Sequence, residues 1–369
     1  MKKESILLAI RWIVGILFIF SGLIKANDPL GLSYKMQEFF EVWHIAYLND
    51  YTLPLSLVMN VFEVLAGVAI IVGWRMRTFS WLLLLLIIFF TFLTGYATLS
   101  GKFKSCGCFG DCVPLSPFQS FLKDIVLLIL IVILFINKNR IQQAFRFKML
   151  SLIIILFTVV GVALFESYVL TYLPVIDCLP YRQGNDILEQ MKVPDGAVSD
   201  SFALTFRYKK GGKELEFDQE HFPDDFDSTY EFVDRYDKLI RQGTATPPIT
   251  DFALATVGGS DTTTAVLNGP NYVLVLVQNF TKWHKQADAF NVINTYCQTH
   301  GIPLFVVTPS PQQAQQMVPQ SNILRCDATV LKTAARVNAT YFVMEKSVIK
   351  KKVSYESKDK VIKYLERKN

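Results

Sequence analysis

The sequence predicts a multi-domain protein: an all-α bundle of transmembrane helices in the first half, followed by a soluble α/β domain. Three observations predict it. Hydrophobic residues make up 51% of the 369, and they crowd into the first half. The stretch from Thr78 to Gly101 carries no charge and exceeds the roughly 20 residues that cross a hydrocarbon core. From Pro174 onward charge rises, glycine and proline punctuate the chain, and apolar residues alternate instead of running on.

By the same length criterion, spanning helices lie near 5–24, 53–73, 79–99, 119–137 and 149–170. The first is not read as a cleaved signal peptide. No small-residue cleavage site stands behind it, the chain continues SGLIKANDPLGLSYK, and four more spans follow. Basic residues set the orientation. Lys2, Lys3, Arg75, Arg77, Lys138, Arg140, Arg146 and Lys148 gather on one side in short segments, against Lys25, Lys35, Lys102 and Lys104 on the other. The expectation is an inner-membrane protein with a cytoplasmic amino terminus and a periplasmic carboxy-terminal domain. All six cysteines then face an oxidising compartment, where disulfides persist. The net charge of +5 is mostly accounted for by these orienting loops, and no basic, aromatic-interleaved patch points to nucleic acid.

Charged groups inside a bilayer are costly and tend to pair or to function. The candidates are Arg11, Glu63, Lys123 and Asp124. Glu63 stands about ten residues from either end of its span, roughly 15 Å deep at about 1.5 Å per residue. Arg11 enters roughly 9 Å from the cytoplasmic end of the first span, and its long side chain extends the reach. The two are expected to meet. Their pairing either fixes how the first two spans pack or leaves the Glu63 carboxylate as a proton or quinone site. Lys123 and Asp124 fall near the start of the fourth span, where they either snorkel to the interface or serve the cysteines before them.

Those cysteines stand in SCGCFGDC, residues 105–112, with Cys106, Cys108 and Cys112 within seven positions. A disulfide between residues two apart needs a sharp turn at the middle residue, and Gly107 permits one. The ring is small and strained, which suits an exchangeable bond better than a permanent one. Lys102 and Lys104 would stabilise a thiolate and Asp111 would oppose it. A structural disulfide remains open. So does a zinc or copper site, although no histidine lies in the loop and a fourth ligand would have to come from Asp111 or elsewhere.

In the second half, FALTFRYKKGGKELEFD (202–218) reads as a hairpin about Lys210-Gly211-Gly212. STYEFVDRYDKLIR (228–241) reads as a helix, with Phe232, Tyr236, Leu239 and Ile240 on one face. Then follow a buried strand at 271–278, an amphipathic helix at 283–301 and a second buried strand at 302–308, a βαβ unit with a right-handed crossover. A helix at 311–318, a strand near 322–326, a helix at 328–336, a hairpin at 340–355 and a helix at 357–367 complete it.

That order, preceded by PPITDFAL (247–254), resembles a thioredoxin or peroxiredoxin-like fold. Where such a fold carries Cys-x-x-Cys this chain reads NFTKWHKQ (279–286), and where it carries a cis-proline this chain has RVNAT, with Ala339 in that place. Cys297 and Cys326 are too far apart in sequence to replace the motif. The expectation is a redox-inert domain that binds a ligand or partner.

The membrane half resembles the DoxX and MauE group of four-helix membrane proteins. The resemblance rests on RWIVGILFIFSGLIKANDP (11–29), FEVLAG (62–67), TGYATLSGKFKSCGCFGD (94–111) and PLSPFQSFLKDIVLL (114–128), above all on CGCFG followed by KD. It covers roughly residues 1–137, and 174–369 are similar to the periplasmic extension of a Bacteroidota-type branch. The chain is expected to divide into a four-helix domain over 1–137, a basic loop and fifth transmembrane helix over 138–173, a hairpin-and-helix linker over 174–246, and a thioredoxin-like domain over 247–369. The resemblance implies thiol-disulfide or quinone-linked redox work in envelope protein maturation. MauE is associated with maturing a disulfide-rich methylamine dehydrogenase subunit, and DoxD-type relatives with thiosulfate and quinone chemistry. On that reading Cys106 and Cys108 form the redox pair and Cys112 is a resolving thiol. Arg11, Glu63, Lys123 and Asp124 support them, a membrane quinone accepts electrons, and the partners are lipid and a periplasmic client or redox protein. A non-enzymatic envelope scaffold is the competing class.

Overall fold

The computed structural model describes every residue except 1, 104, 146, 147, 199, 200, 219–221, 224, 225, 242, 244 and 369. Its first half is helical: α1 (Lys2–Asn27), α2 (Pro29–Val42), a 3-10 turn (Ala46–Tyr51), α3 (Thr52–Val72), α4 (Met76–Ser100), α5 (Pro117–Ile136) and α6 (Lys148–Tyr172). Five of these helices, α1, α3, α4, α5 and α6, are long and apolar enough to cross a membrane. The protein is therefore a multi-pass membrane protein, and Trp12, Phe20, Leu85, Ile129 and Phe157 lie on its outer, lipid-facing surface. α1 and α3 pack antiparallel at glycine contact. A Cβ on Gly67 would stand 2.6 Å from the Gly15 carbonyl oxygen, so only glycine allows this approach.

That register corrects one expectation. Arg11 and Glu63 do not meet, because the Gly15–Gly67 crossing lies between their levels. Arg11 instead reaches the end of α3, donating from Nε to the Ile70 carbonyl at 2.6 Å and from Nη2 to that of Ile71. Its Nη1 donates to the Gln142 carbonyl at 3.1 Å. The last carbonyls of a helix lack partners within the helix and carry its negative dipole end, so a buried guanidinium there satisfies both.

α2 runs between two spans and has no counterpart in the sequence reading. Asp28 caps it, accepting from the Gly31 N–H at 3.1 Å, and Pro29 occupies its first position.

The second half comprises α7 (Ile187–Gln190), β1 (Ser201–Lys210), β2 (Lys213–Asp218), β3 (Glu231–Arg241), β4 (Ala255–Thr256), α8 (Thr263–Leu267), β5 (Tyr272–Leu276), α9 (Trp283–Thr299), β6 (Leu304–Thr308), α10 (Pro311–Met317), β7 (Asn322–Arg325), α11 (Ala328–Ala334), β8 (Thr340–Glu345), β9 (Val348–Ser354) and α12 (Lys358–Glu366). β3 overturns the helix expected at 228–241. It pairs antiparallel with β1, setting Phe232 opposite Tyr208, with their rings 5.6 Å apart. A two-stranded hairpin is marginal alone, so pairing to a third strand outweighs a weak helical spacing.

The main sheet runs β4-β7-β6-β5-β8-β9. β5, β6 and β7 are parallel, and β8 and β9 antiparallel, which makes β9-β8-β5-β6 the strand order of a thioredoxin-like sheet. One face is covered by residues of α7, α8 and α11 and the other by α9 and α12. The Asn338–Ala339 peptide is cis.

Candidate functional site

The end of the bundle that carries the α/β domain also carries the cysteine loop. α4 stops at Gly101, whose φ of 62° is left-handed, and α5 starts at Ser116 with a reciprocal capping box to Gln119 and proline at its first position. Between them Phe103 stacks on Phe39 of α2 at 4.2 Å, pinning the loop to that helix. Gly107 has a φ of 67°, and the Gly110 N–H donates to its carbonyl at 3.0 Å, closing a turn. A Cβ on Gly107 would press Lys35 Cγ at 3.0 Å, so glycine is needed for both conformation and space.

Cys106 and Cys108 are free and half-buried on either side of that turn. Both line a cavity of ≈ 200 Å³ walled by Met36, Phe39, Phe40, Trp43, Phe90 and Leu93, with Lys25, Lys35 and Thr94 as its polar members. Cys108 also lines a second cavity of ≈ 20 Å³ bounded by Ser21, Lys25, Glu63, Lys123 and Asp124. The loop thus stands between an apolar chamber and a polar one.

The polar chamber is built of pairs. Buried Lys25 pairs with buried Glu63. Ser21 Oγ lies 3.0 Å from Glu63 Oε2 and 3.1 Å from the Cys108 carbonyl oxygen, linking the carboxylate to the loop. Lys123 Nζ stands 2.6 Å from Asp124 Oδ1 and 4.9 Å from the Phe109 ring centroid. Thr94 Oγ1 lies 3.0 Å from Asp124 Oδ2.

Burial pushes the Cys106 thiol up to about 12, with Cys108 and Asp124 adding to the rise and Lys35 and Lys123 opposing it. Burial also raises Cys108, against the pull of Lys123 and Lys25. Both are therefore protonated at neutral pH, and nucleophilic attack requires that a proton be taken from them. Among the described residues the lysines that act on the pair are Lys25, Lys35 and Lys123, and Lys102, named from sequence, is not one of them. Lys104 lies outside the described residues.

Five of the residues named from sequence therefore share one site: Cys106, Cys108, Glu63, Lys123 and Asp124. Arg11 does not join them. Cys112 is also corrected: it is bonded to Cys178, which follows α6, and is no free resolving thiol. Two anchors accompany that disulfide. Asn27 Nδ2 donates to the Ile176 carbonyl at 2.8 Å while the Ile176 N–H donates back to Asn27 Oδ1 at 3.1 Å. Lys352 Nζ stands 2.7 Å from Asp177 Oδ2.

The α/β domain docks beside the same loop. Buried Arg336 donates from Nε to Asp28 Oδ2 and from Nη2 to Asp111 Oδ2, both at 2.8 Å, and faces the Tyr34 ring at 5.4 Å. Asp28 caps α2 and Asp111 belongs to the cysteine loop, so a single guanidinium ties three segments. Arg336 stands two residues before Asn338, whose side chain is fixed to the loop after β5 by the Gln278 N–H at 2.9 Å and the Asn279 carbonyl at 2.6 Å. The end of the sheet where a thioredoxin carries Cys-x-x-Cys, and this chain reads NFTKWHKQ (279–286), is thus the end that carries this clamp.

Lys25, Ser21, Asp28, Arg336 and the α2 wall were not foreseen. α2 was legible: Asp-Pro opens it, and Leu32, Met36, Phe39, Phe40 and Trp43 repeat at helical spacing. Arg336 had no local signal, since its partners lie 308 and 225 residues away.

Residues 3–137 match the family described as methylamine utilisation protein MauE. Residues 202–242, which hold β1, β2 and β3, match a family described only as a domain of unknown function. Protein TlpB of Flavobacterium psychrophilum is 26% identical over 137 residues, 36% of this chain and 37% of that protein. The matched stretch thus spans little more than a third of the relative. No solved structure matches the chain.

Proposed function

We propose that this protein, whose membrane half is of the MauE kind, is a thiol-disulfide oxidoreductase in which Cys106 and Cys108 cycle between disulfide and dithiol during maturation of envelope proteins. The observation that carries the reading is the placement of two free cysteines, separated by a single residue, between an apolar chamber and a polar one. In the oxidised form a client thiolate attacks one sulfur of the Cys106–Cys108 bond, that bond breaks, and a mixed disulfide forms. A second client thiolate resolves it. The client gains a disulfide, and the loop is left holding two electrons and two protons as two thiols.

Return to the disulfide needs an acceptor of both. The apolar chamber suits the ring of a membrane quinone: aromatic and aliphatic side chains would hold its faces, and Lys25, Lys35 and Thr94 would meet its polar atoms. A quinone bound there supplies a two-electron, two-proton acceptor. The chain's own part is to keep the thiols beside that chamber, exclude water and handle the protons. The basic-residue bias favours an inner-membrane address with the cysteine loop and the α/β domain on the periplasmic side.

Thiol trapping in intact cells tests the proposal. Acid quenching and alkylation should find Cys106 and Cys108 in both states, and in a Cys108→Ser variant the Cys106 thiolate, attacking clients that already carry a disulfide, should accumulate as a mixed disulfide that no second thiol resolves. A pair found in only one state under all growth conditions overturns it. The Arg336 clamp favours a second reading, a non-enzymatic envelope scaffold presenting the α/β domain to a partner. On that reading serine at both positions leaves function intact.

A further inference from the structure

We infer that Glu63, held by Lys25, is the group that takes the proton from Cys108 when that thiol becomes a thiolate. This rests on the proposed reactivity of Cys108 and assigns its proton acceptor. Glu63 is fully buried, and its partner Lys25 is nearly so. A buried ion pair can serve packing alone, but this one lines a cavity that also reaches Cys108. The cavity of ≈ 20 Å³ has room for one water, since about 10–15 Å³ suffices, and its polar rim supplies the partners a water needs. Ser21 fixes the carboxylate beside the loop, with its hydroxyl within hydrogen-bond distance of Glu63 and of the Cys108 carbonyl oxygen.

The step balances without an added reactant. The S–H bond of Cys108 breaks, an O–H bond forms on Glu63, and no electrons are exchanged. Lys25 trades a carboxylate neighbour for a thiolate, so the charge within the membrane is unchanged. The other charged groups around the site are Lys123 and Asp124 on α5, paired to each other, and Lys35 on α2 towards Cys106. Asp124 is the rival acceptor. It lines the same cavity and acts on the Cys108 thiol, so loss of the acid-side plateau in Cys108 alkylation on Glu63→Gln is what separates the two.

The pH dependence follows from proton counting. Thiol with carboxylate and thiolate with carboxylic acid hold the same number of protons, so their ratio does not change with pH. Alkylation of Cys108 should therefore show an acid-side plateau, followed by a rise once protons leave for solvent. The test uses the full-length protein in detergent with Cys106→Ser, following the Cys108 peptide by mass during iodoacetamide treatment. Adding Glu63→Gln should abolish the plateau, the rate rising about tenfold per pH unit throughout. Lys25→Arg should keep the plateau. The double change Lys25→Met with Glu63→Gln leaves no unpaired charge, guards against misfolding of the single variant, and should lack it. A plateau that survives Glu63→Gln or the double change, or a parent protein without one, overturns the inference. The measurement reads deprotonation and not turnover, so a plateau in a protein that exchanges with no client would sink the oxidoreductase reading and leave this one standing.

Discussion

Cys106 in the membrane half and Cys297 and Cys326 in the α/β domain are all pushed up to about 12 by burial, yet their surroundings differ in kind. Cys297 packs in the core under α9, and Cys326 packs in the core on the opposite face of the sheet. The sheet separates them, and apolar side chains surround each. Cys106 and Cys108 share one turn, border two cavities and have three lysines within electrostatic reach. The comparison teaches that a raised pKa does not separate a structural thiol from a reactive one. On the proposed reading, what separates them is a second cysteine in the same turn and a carboxylate bordering the same cavity.

The largest effect that can break this comparison is all-or-none. Cys106→Ser should abolish exchange with a client, read as loss of mixed disulfides on non-reducing gels, whereas Cys297→Ala should leave them unchanged. Exchange that persists in Cys106→Ser moves the chemistry elsewhere in the chain.

Next is the Cys112–Cys178 bond, which spans 66 residues. Cys178→Ser should lower stability by about 2–4 kcal/mol, read as a shift in the thermal midpoint. Exchange at Cys106 and Cys108 should survive in the folded fraction. Its loss would make Cys112 a member of the relay after all.

Arg336→Ala leaves Asp28 and Asp111 without their shared cation. A fully buried pair broken this way costs about 3–5 kcal/mol, but Asp111 is 40% exposed, so about 2 kcal/mol is expected here. Limited proteolysis between α6 and β1 should quicken, and maleimide labelling of Cys106 should rise. Unchanged rates in both would mean that the α/β domain is held without the clamp.

The smallest effect falls on the buried thiols of the sheet. Cys326→Ala removes one polarizable atom from a packed core and should cost about 1 kcal/mol, with no change in labelling at the loop. Insulin reduction by the full-length Cys106→Ser, Cys108→Ser variant should stay at background. Activity there would assign redox work to the α/β domain.

The sequence carried the spans and most of the sheet because both are written in local pattern. An uncharged run from Thr78 to Gly101 leaves one solution, and NYVLVLVQ followed by an amphipathic helix leaves few. It carried Glu63, Lys123 and Asp124 as candidates because charge is costly in a bilayer, and Cys106 and Cys108 because they crowd into one short loop. It did not carry who pairs with whom. Lys25 against Glu63, Arg11 against the end of α3 and Cys112 with Cys178 are set by the glycine crossing of α1 with α3 and by where α6 returns the chain. β3 failed for the same reason: a helical spacing gave way to a partner strand supplied more than twenty residues earlier in the chain.

A redox titration of the purified full-length protein reads whether one pair of cysteines cycles while the others do not. The protein is equilibrated against graded thiol buffers and quenched with an alkylating agent, and each cysteine peptide is read by mass. Cys106 and Cys108 should open and close together at a potential above the roughly −300 mV that marks resistant structural disulfides. Cys112 and Cys178 should stay joined there, and Cys297 and Cys326 should stay thiols throughout. A Cys106–Cys108 bond that resists reduction below that value, or thiols that never close, would contradict the cycling of this pair.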